Sequence, residues 1–221
     1  MNLVDRLNEI RNTLPSNVKI VAVSKTQPAA SIEILYREIG QRIFGENRVL
    51  ELESKYKILP TDIDWHFIGH LQTNKVKNIV PFVKLVHSVD SLKLLIEINK
   101  EGIKINRCIP CLLQFHIAAE ETKYGFSNDE VFRMLDDNLF HELSNISVKG
   151  VMGMATYTED QHQIRTEFKT LFSIFNSIKS RYFAREPNFC EVSMGMSNDY
   201  QLAVEEGSTI VRIGSGIFGN D

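Results

Sequence analysis

Residues 189–219, FCEVSMGMSNDYQLAVEEGSTIVRIGSGIFG, decide the fold. Within them, Phe189 to Val192 and Thr209 to Ile213 are short apolar runs with β-branched residues, which predicts two strands. Each strand runs into a polar loop that bears glycine: Ser193-Met194-Gly195-Met196-Ser197-Asn198-Asp199 after the first, and Gly214-Ser215-Gly216-Ile217-Phe218-Gly219 after the second. One Gly-x-Gly most simply ends a strand in a turn. Two such loops after consecutive strands suit an anion cradle better, because glycines let backbone N–H groups close on a phosphate, small hydroxyls add donors, and a following helix offers its positive end. In a β/α barrel the phosphate site is commonly built by the loops after strands seven and eight.

Outward from this stretch the same alternation fills the chain. Leu3, Val4, Leu7, Ile10 and Leu14 recur at helical spacing before Pro15, which predicts a leading amphipathic helix. Strand-like runs follow at Val18 to Val23, Arg42 to Phe44, Trp65 to Ile68, Leu85 to His87, Cys111 to Phe115 and Val148 to Met152, making eight with the two above. Helical periodicity lies between them, as in Ile32, Leu35, Tyr36 and Ile39, or Phe168, Leu171, Phe172 and Phe175. Strands alternating with helices imply a parallel sheet. Eight units of roughly 25 residues plus a leading helix account for a (β/α)8 TIM barrel, read as one domain over residues 1–221. A doubly wound open sheet gives the same alternation and is the rival.

Composition narrows the function classes. With 25 basic and 28 acidic residues and a net charge of −3, the chain offers no bulk attraction to nucleic acid or an anionic membrane. Asp5, Arg6, Glu9 and Arg11 interrupt the apolar N-terminus, so it does not read as a signal peptide, and no stretch reaches transmembrane length. Three cysteines, Cys108, Cys111 and Cys190, fit a reducing compartment. The chain is therefore expected to be cytoplasmic, and nothing in it obliges a dimer.

Lys25 stands directly after the apolar run Ile20-Val21-Ala22-Val23, at the mouth of the expected barrel. Partial desolvation there would lower the pKa of an amine and make it a carbonyl nucleophile. A lysine closing a strand is usually a solvated surface residue. A phosphate cradle across the same mouth alters that reading, since the ligand that joins an amine to a phosphate through a flat ring is pyridoxal 5'-phosphate (PLP).

Five segments carry a family resemblance: VAVSKTQP (21–28), FGENRVLEL (44–52), WHFIGHLQTNKVK (65–77), GVMGMAT (150–156) and SMGMSNDYQLAVEEGSTIVRIGSGIFG (193–219). In order and extent they resemble the YggS/PROSC group of PLP-binding proteins, also called PLP homeostasis proteins. The resemblance implies a barrel like the N-terminal domain of alanine racemase, with PLP held as a Schiff base on Lys25. It also implies phosphate contacts from Ser193 or Met194, Ser197, Gly214 and Ser215, with Arg212 facing the pyridine nitrogen and Asn47 lining the pocket. The sequence departs from the commoner pattern at Tyr124, which would narrow the mouth, at His116, where Asn is frequent, and at His70, where Pro is frequent.

These expectations bear on catalysis. A guanidinium can donate to the ring nitrogen but leaves no proton on it, so the cofactor would be a weaker electron sink, which racemisation and storage tolerate equally. Racemases of this fold add a β-rich domain, and 221 residues of barrel leave no length for one. Storage and delivery of PLP, with transient contact to PLP-dependent apoenzymes, is the preferred expectation. An amino-acid racemase using Tyr124, His116 or His70 is the alternative, and an aldolase using Lys25 a more distant one. Lys123 reads as a surface residue or as a guide for the incoming phosphate. Cys108-x-x-Cys111 and the pair His66 and His70 read as packing rather than metal ligands.

Overall fold

The computed structural model describes residues 1–119 and 124–219. Eight parallel strands close on themselves in sequence order: β1 (Lys19–Val23), β2 (Ile43–Glu46), β3 (Asp64–Phe67), β4 (Leu85–Val89), β5 (Ile109–Phe115), β6 (Ile146–Gly153), β7 (Glu191–Ser193) and β8 (Ile210–Ile213). Closure is made by β1 against β8, with Lys19 opposite Ile210 and Ala22 opposite Ile213. The expected barrel is thus present and the open doubly wound sheet is not.

The leading helix α1 (Leu3–Asn12) starts at a capping box in which the Asn2 side chain takes the Asp5 N–H and the Asp5 side chain takes the Asn2 N–H. Helix α2 (Ala29–Ile39) ends on Gly40 in the left-handed region. The helices α3 (Val49–Ile58), α4 (Val76–Ile79), α5 (Leu92–Lys104), α6 (Asn128–Asp136), α7 (Asn138–His141), α8 (Gln161–Tyr182), α9 (Tyr200–Glu205) and α10 (Ser215–Phe218) complete the outer ring. No helix among the described residues is long and apolar enough to cross a membrane.

Strand alternation sorts the core into two layers. Val21, Val23, Leu85, Leu112, Met152 and Ile210 form an inner cluster that fills the barrel. The intervening residues, such as Ala22, Phe44, Trp65, Phe67, Val192 and Val211, pack outward against the helices. Strand boundaries differ from the expected ones by one or two residues, β2, β4, β5 and β6 running longer and β7 beginning at Glu191 rather than Phe189. Phe189 is apolar because its ring stacks on Phe175 and Phe183 at 5.2 and 4.5 Å, inside a turn in which its N–H donates to the Glu186 carbonyl.

Candidate functional site

Extending each inner row by one alternation reaches the barrel mouth. On β1 the row is Val21, Val23, Lys25; on β2, Ile43, Gly45, Asn47; on β8, Ile210, Arg212, Gly214. Lys25, Asn47, Ser197, Arg212, Gly214 and Ser215 all line a single cavity of about 1180 Å³ at the C-terminal ends of the strands. Lys25 is exposed. Desolvation of its amine, expected from the sequence, is therefore not what the fold supplies; it supplies a direction into the cavity and a set of neighbours.

Across that cavity two backbone donors converge. The N–H groups of Gly214 and Gly216 both point at Ser197 Oγ, at 3.3 and 3.1 Å. An anionic oxygen that took the place of this hydroxyl oxygen would meet two N–H groups, with the displaced hydroxyl as a third donor, which fits a phosphate. Asp199 accepts the Met196 N–H at 2.5 Å, which fixes the loop that carries Ser197. Two parts of the sequence reading change. Helix α10 is four residues long, so the cradle is a matter of individual N–H directions rather than a helix dipole. Ser193 and Met194 are fully buried and do not line the cavity: the Met194 side chain belongs to the outer core and its N–H donates to the Ile210 carbonyl.

Ser193 has a different task. Its Oγ accepts from an Arg212 terminal nitrogen at 2.7 Å, while the other terminal nitrogen donates to the Gly153 carbonyl at 3.0 Å. Arg212 is thereby fixed from below while it lines the cavity above. Burial draws its pKa down to about 10, so it remains a cation at neutral pH. Ser193 Oγ also meets His87 Nδ1 at 2.9 Å, and His87 Nε2 meets His66 Nδ1 at 2.9 Å. Burial holds both imidazoles neutral, with His66 lowered to about 3 and His87 pushed well below its ordinary value. A hydrogen-bonded polar chain therefore runs from Arg212 into the barrel interior.

The remaining candidates divide. His70 and Tyr124 both line the cavity, their rings stack at 4.2 Å, and His70 Nδ1 lies 3.0 Å from Asp90 Oδ2. The Gln114 amide donates to the Tyr124 carbonyl at 2.8 Å and holds that residue over the mouth. His116 is exposed and outside the lining. Lys123 lies outside the described residues. Cys108 is exposed and Cys111 buried, burial pushing the Cys111 thiol up, and no metal-binding cluster occurs among the described residues. Sequence reading missed His66 and His87 as a pair; strand alternation, which puts both on inner rows, was the available signal. It also missed Glu167, whose carboxylate takes the Thr156 N–H at 2.6 Å and the Thr156 hydroxyl at 2.7 Å.

The sequence matches the alanine racemase N-terminal domain family over residues 1–221. A pyridoxal phosphate homeostasis protein of Aquifex aeolicus is 39% identical over 202 residues, which cover 91% of this chain and 86% of that protein. The structure of PipY from Synechococcus elongatus, solved with PLP bound, superposes with a TM-score of 0.88 at 32% identity and covers 99% of this chain and 100% of that one. Alanine racemase of Clostridium difficile superposes with a TM-score of 0.75 at 14% identity, covering 100% of this chain and 56% of that one, and shares the fold.

Proposed function

Because the chain belongs to the pyridoxal phosphate homeostasis protein family, we propose that it binds PLP as a Schiff base on Lys25 and serves PLP homeostasis by storing and delivering the cofactor. The observation that carries this reading is the placement around one cavity of an amine on the β1 row, the Arg212 cation on the β8 row, and Ser197, on whose Oγ two glycine N–H groups converge. The cofactor supplies an aldehyde that condenses reversibly with an amine and releases water. The protein supplies the rest. Lys25 offers its amine, Ser197, Gly214 and Gly216 offer donors for the phosphate, Asn47 lines the wall, and Arg212 presents a fixed donor to the ring nitrogen.

Arg212 is compatible with storage and with racemisation alike. Its guanidinium can hold a hydrogen bond but keeps its proton at neutral pH, so carbanion chemistry receives little help from it. Of the acid or base groups that line the cavity, which besides Lys25 include Tyr157, Glu159, Asp199 and Tyr200, the sequence candidates His70 and Tyr124 are stacked on each other, with His70 also held by Asp90. His66 and His87 lie beneath the lining and are kept neutral by burial. The reading extends to one barrel domain acting as a monomer in the cytoplasm, meeting PLP-dependent apoenzymes transiently.

Incubating the PLP-loaded protein with a panel of L- and D-amino acids tests the carrier reading. Racemisation, decarboxylation and transamination are expected to stay at the level of free PLP, and the loaded protein is expected to restore activity to a PLP-dependent apoenzyme. Turnover of any amino acid well above that background, lost on replacing Tyr124 or His70, would establish an enzyme instead.

A further inference from the structure

Behind the β1 row, on the helix-facing side of the barrel, a buried ionic cluster grips the backbone on both sides of Lys25. Lys55, on the last turns of α3, is 6% exposed, and its ammonium donates to three oxygens: the Ser24 carbonyl at 2.7 Å, Glu46 Oε1 at 2.7 Å and Glu51 Oε1 at 2.6 Å. Glu46 Oε1 takes in addition the Ser24 hydroxyl at 2.6 Å, and Glu51 Oε1 takes the Thr26 N–H at 2.7 Å. The peptide unit before Lys25 is thus held through its carbonyl, and the peptide unit after it through its N–H, by one ammonium and its two carboxylates.

The conformation held in this way is not one the chain would choose. Thr26 sits at φ 65°, in the left-handed region that β-branched residues avoid. Backbone strain of this kind persists where surrounding bonds over-determine it, and it clusters at functional sites. Here the bonds of Glu51 and Lys55 act together with local ones, the Gln27 N–H to the Ser24 carbonyl at 3.0 Å and the Thr26 hydroxyl to the Lys25 carbonyl at 2.6 Å. Glu46 is wholly buried with Oε2 unpartnered, a costly arrangement for a cluster that served packing alone.

We propose that Lys55, with Glu46 and Glu51, is a positioning residue for Lys25: it locks the Ser24-Lys25-Thr26 turn so that the exposed Lys25 side chain leaves the backbone toward the cavity. The cluster faces the helices and does not line the cavity, so it acts on the cofactor only through Lys25. This rests on the assignment of PLP to Lys25.

A double-mutant cycle tests it. Glu51→Ala removes the link to the Thr26 N–H at a half-buried position and leaves the Glu46–Lys55 pair in place; Lys55→Met, paired with Glu46→Gln to avoid an orphan charge, removes the ammonium's hold on the Ser24 carbonyl and leaves Glu51 on the Thr26 N–H. Each is measured in the wild-type and the Lys25→Ala background by PLP titration and by the rate at which borohydride-trapped adduct accumulates. With Lys25 present, adduct formation is expected to slow by about tenfold or more and Thr26 amide exchange in the PLP-free protein to speed up; without Lys25, PLP affinity is expected to change by less than about twofold. Equal losses of affinity in both backgrounds would reduce the cluster to a general structural role, and unchanged adduct formation with Glu51→Ala would remove the clamp. If the Lys55→Met variant does not fold, Glu51→Ala with the exchange measurement decides alone. Failure of the PLP assignment itself would look different: Lys25→Ala would keep its reducible adduct.

Discussion

Replacing Lys25 by alanine is expected to abolish the reducible, visible-absorbing adduct while leaving the protein folded and still able to bind PLP weakly. The side chain is exposed, so its removal should change stability by no more than about 0.5 kcal/mol. The phosphate donors at Ser197, Gly214 and Gly216 and the guanidinium of Arg212 remain, and these alone define the residual affinity. A loss of roughly 10- to 100-fold in PLP affinity, about 1.4–2.7 kcal/mol, is expected. Absorbance titration followed by borohydride treatment measures both quantities. Lys25→Arg should behave like alanine for the adduct, because a guanidinium does not condense with an aldehyde under these conditions.

Acid should destabilise the protein steeply, beginning near pH 6.5. His66 and His87 are buried and neutral in the folded chain, with His66 lowered to about 3 and His87 well below 6.5. The unfolded chain binds protons at about 6.5, so between that pH and the folded values it carries more protons than the native state. Stability therefore rises with pH in that window and is lost as pH falls through it. Well below pH 6.5 each histidine contributes a slope approaching about 1.4 kcal/mol per pH unit, so the pair removes about 3 kcal/mol between pH 6.5 and 5. That is a large part of the total for an ordinary domain. Glu46 works in the opposite sense, since burial raises its carboxyl and lets the folded chain take that proton early. Urea denaturation at pH 7.5, 6.5, 5.75 and 5 measures the slope. Replacing both histidines with glutamine should flatten it, whatever the replacement costs at neutral pH; a flat wild-type profile would contradict the burial of neutral imidazoles.

Much of the barrel was legible because its strands are short apolar runs, several of them β-branched, that alternate with segments of helical periodicity. The rows Val21-Val23 and Ile210-Arg212 announce both strand and direction, and they point on to Lys25 and Gly214 by alternation alone. Phe189 misled because stacking against two other rings and membership of a strand ask for the same residue type. Ser193 and Met194 misled for a related reason. They open a glycine loop and look like cradle donors, yet Ser193 still lies on the inner row under Arg212, and Met194 still donates within the sheet.

The supports of the site were harder to read than its lining. Glu51 and Lys55 are four apart, which a sequence suggests as an ordinary helix-surface ion pair. That the pair is drawn inward to Glu46 and to the backbone beside Lys25 depends on α3 packing over the ends of β1 and β2, which no local pattern states. His66 and His87 are likewise 21 residues apart and meet only when adjacent strands close the barrel.

The most direct test of PLP attachment is to reduce the loaded protein with borohydride, digest it and map the pyridoxyl group by mass spectrometry. Near-stoichiometric modification confined to the peptide that carries Lys25 is the predicted result. Modification scattered over surface lysines, or a visible band that leaves Lys25 unmodified after reduction, would contradict the assignment.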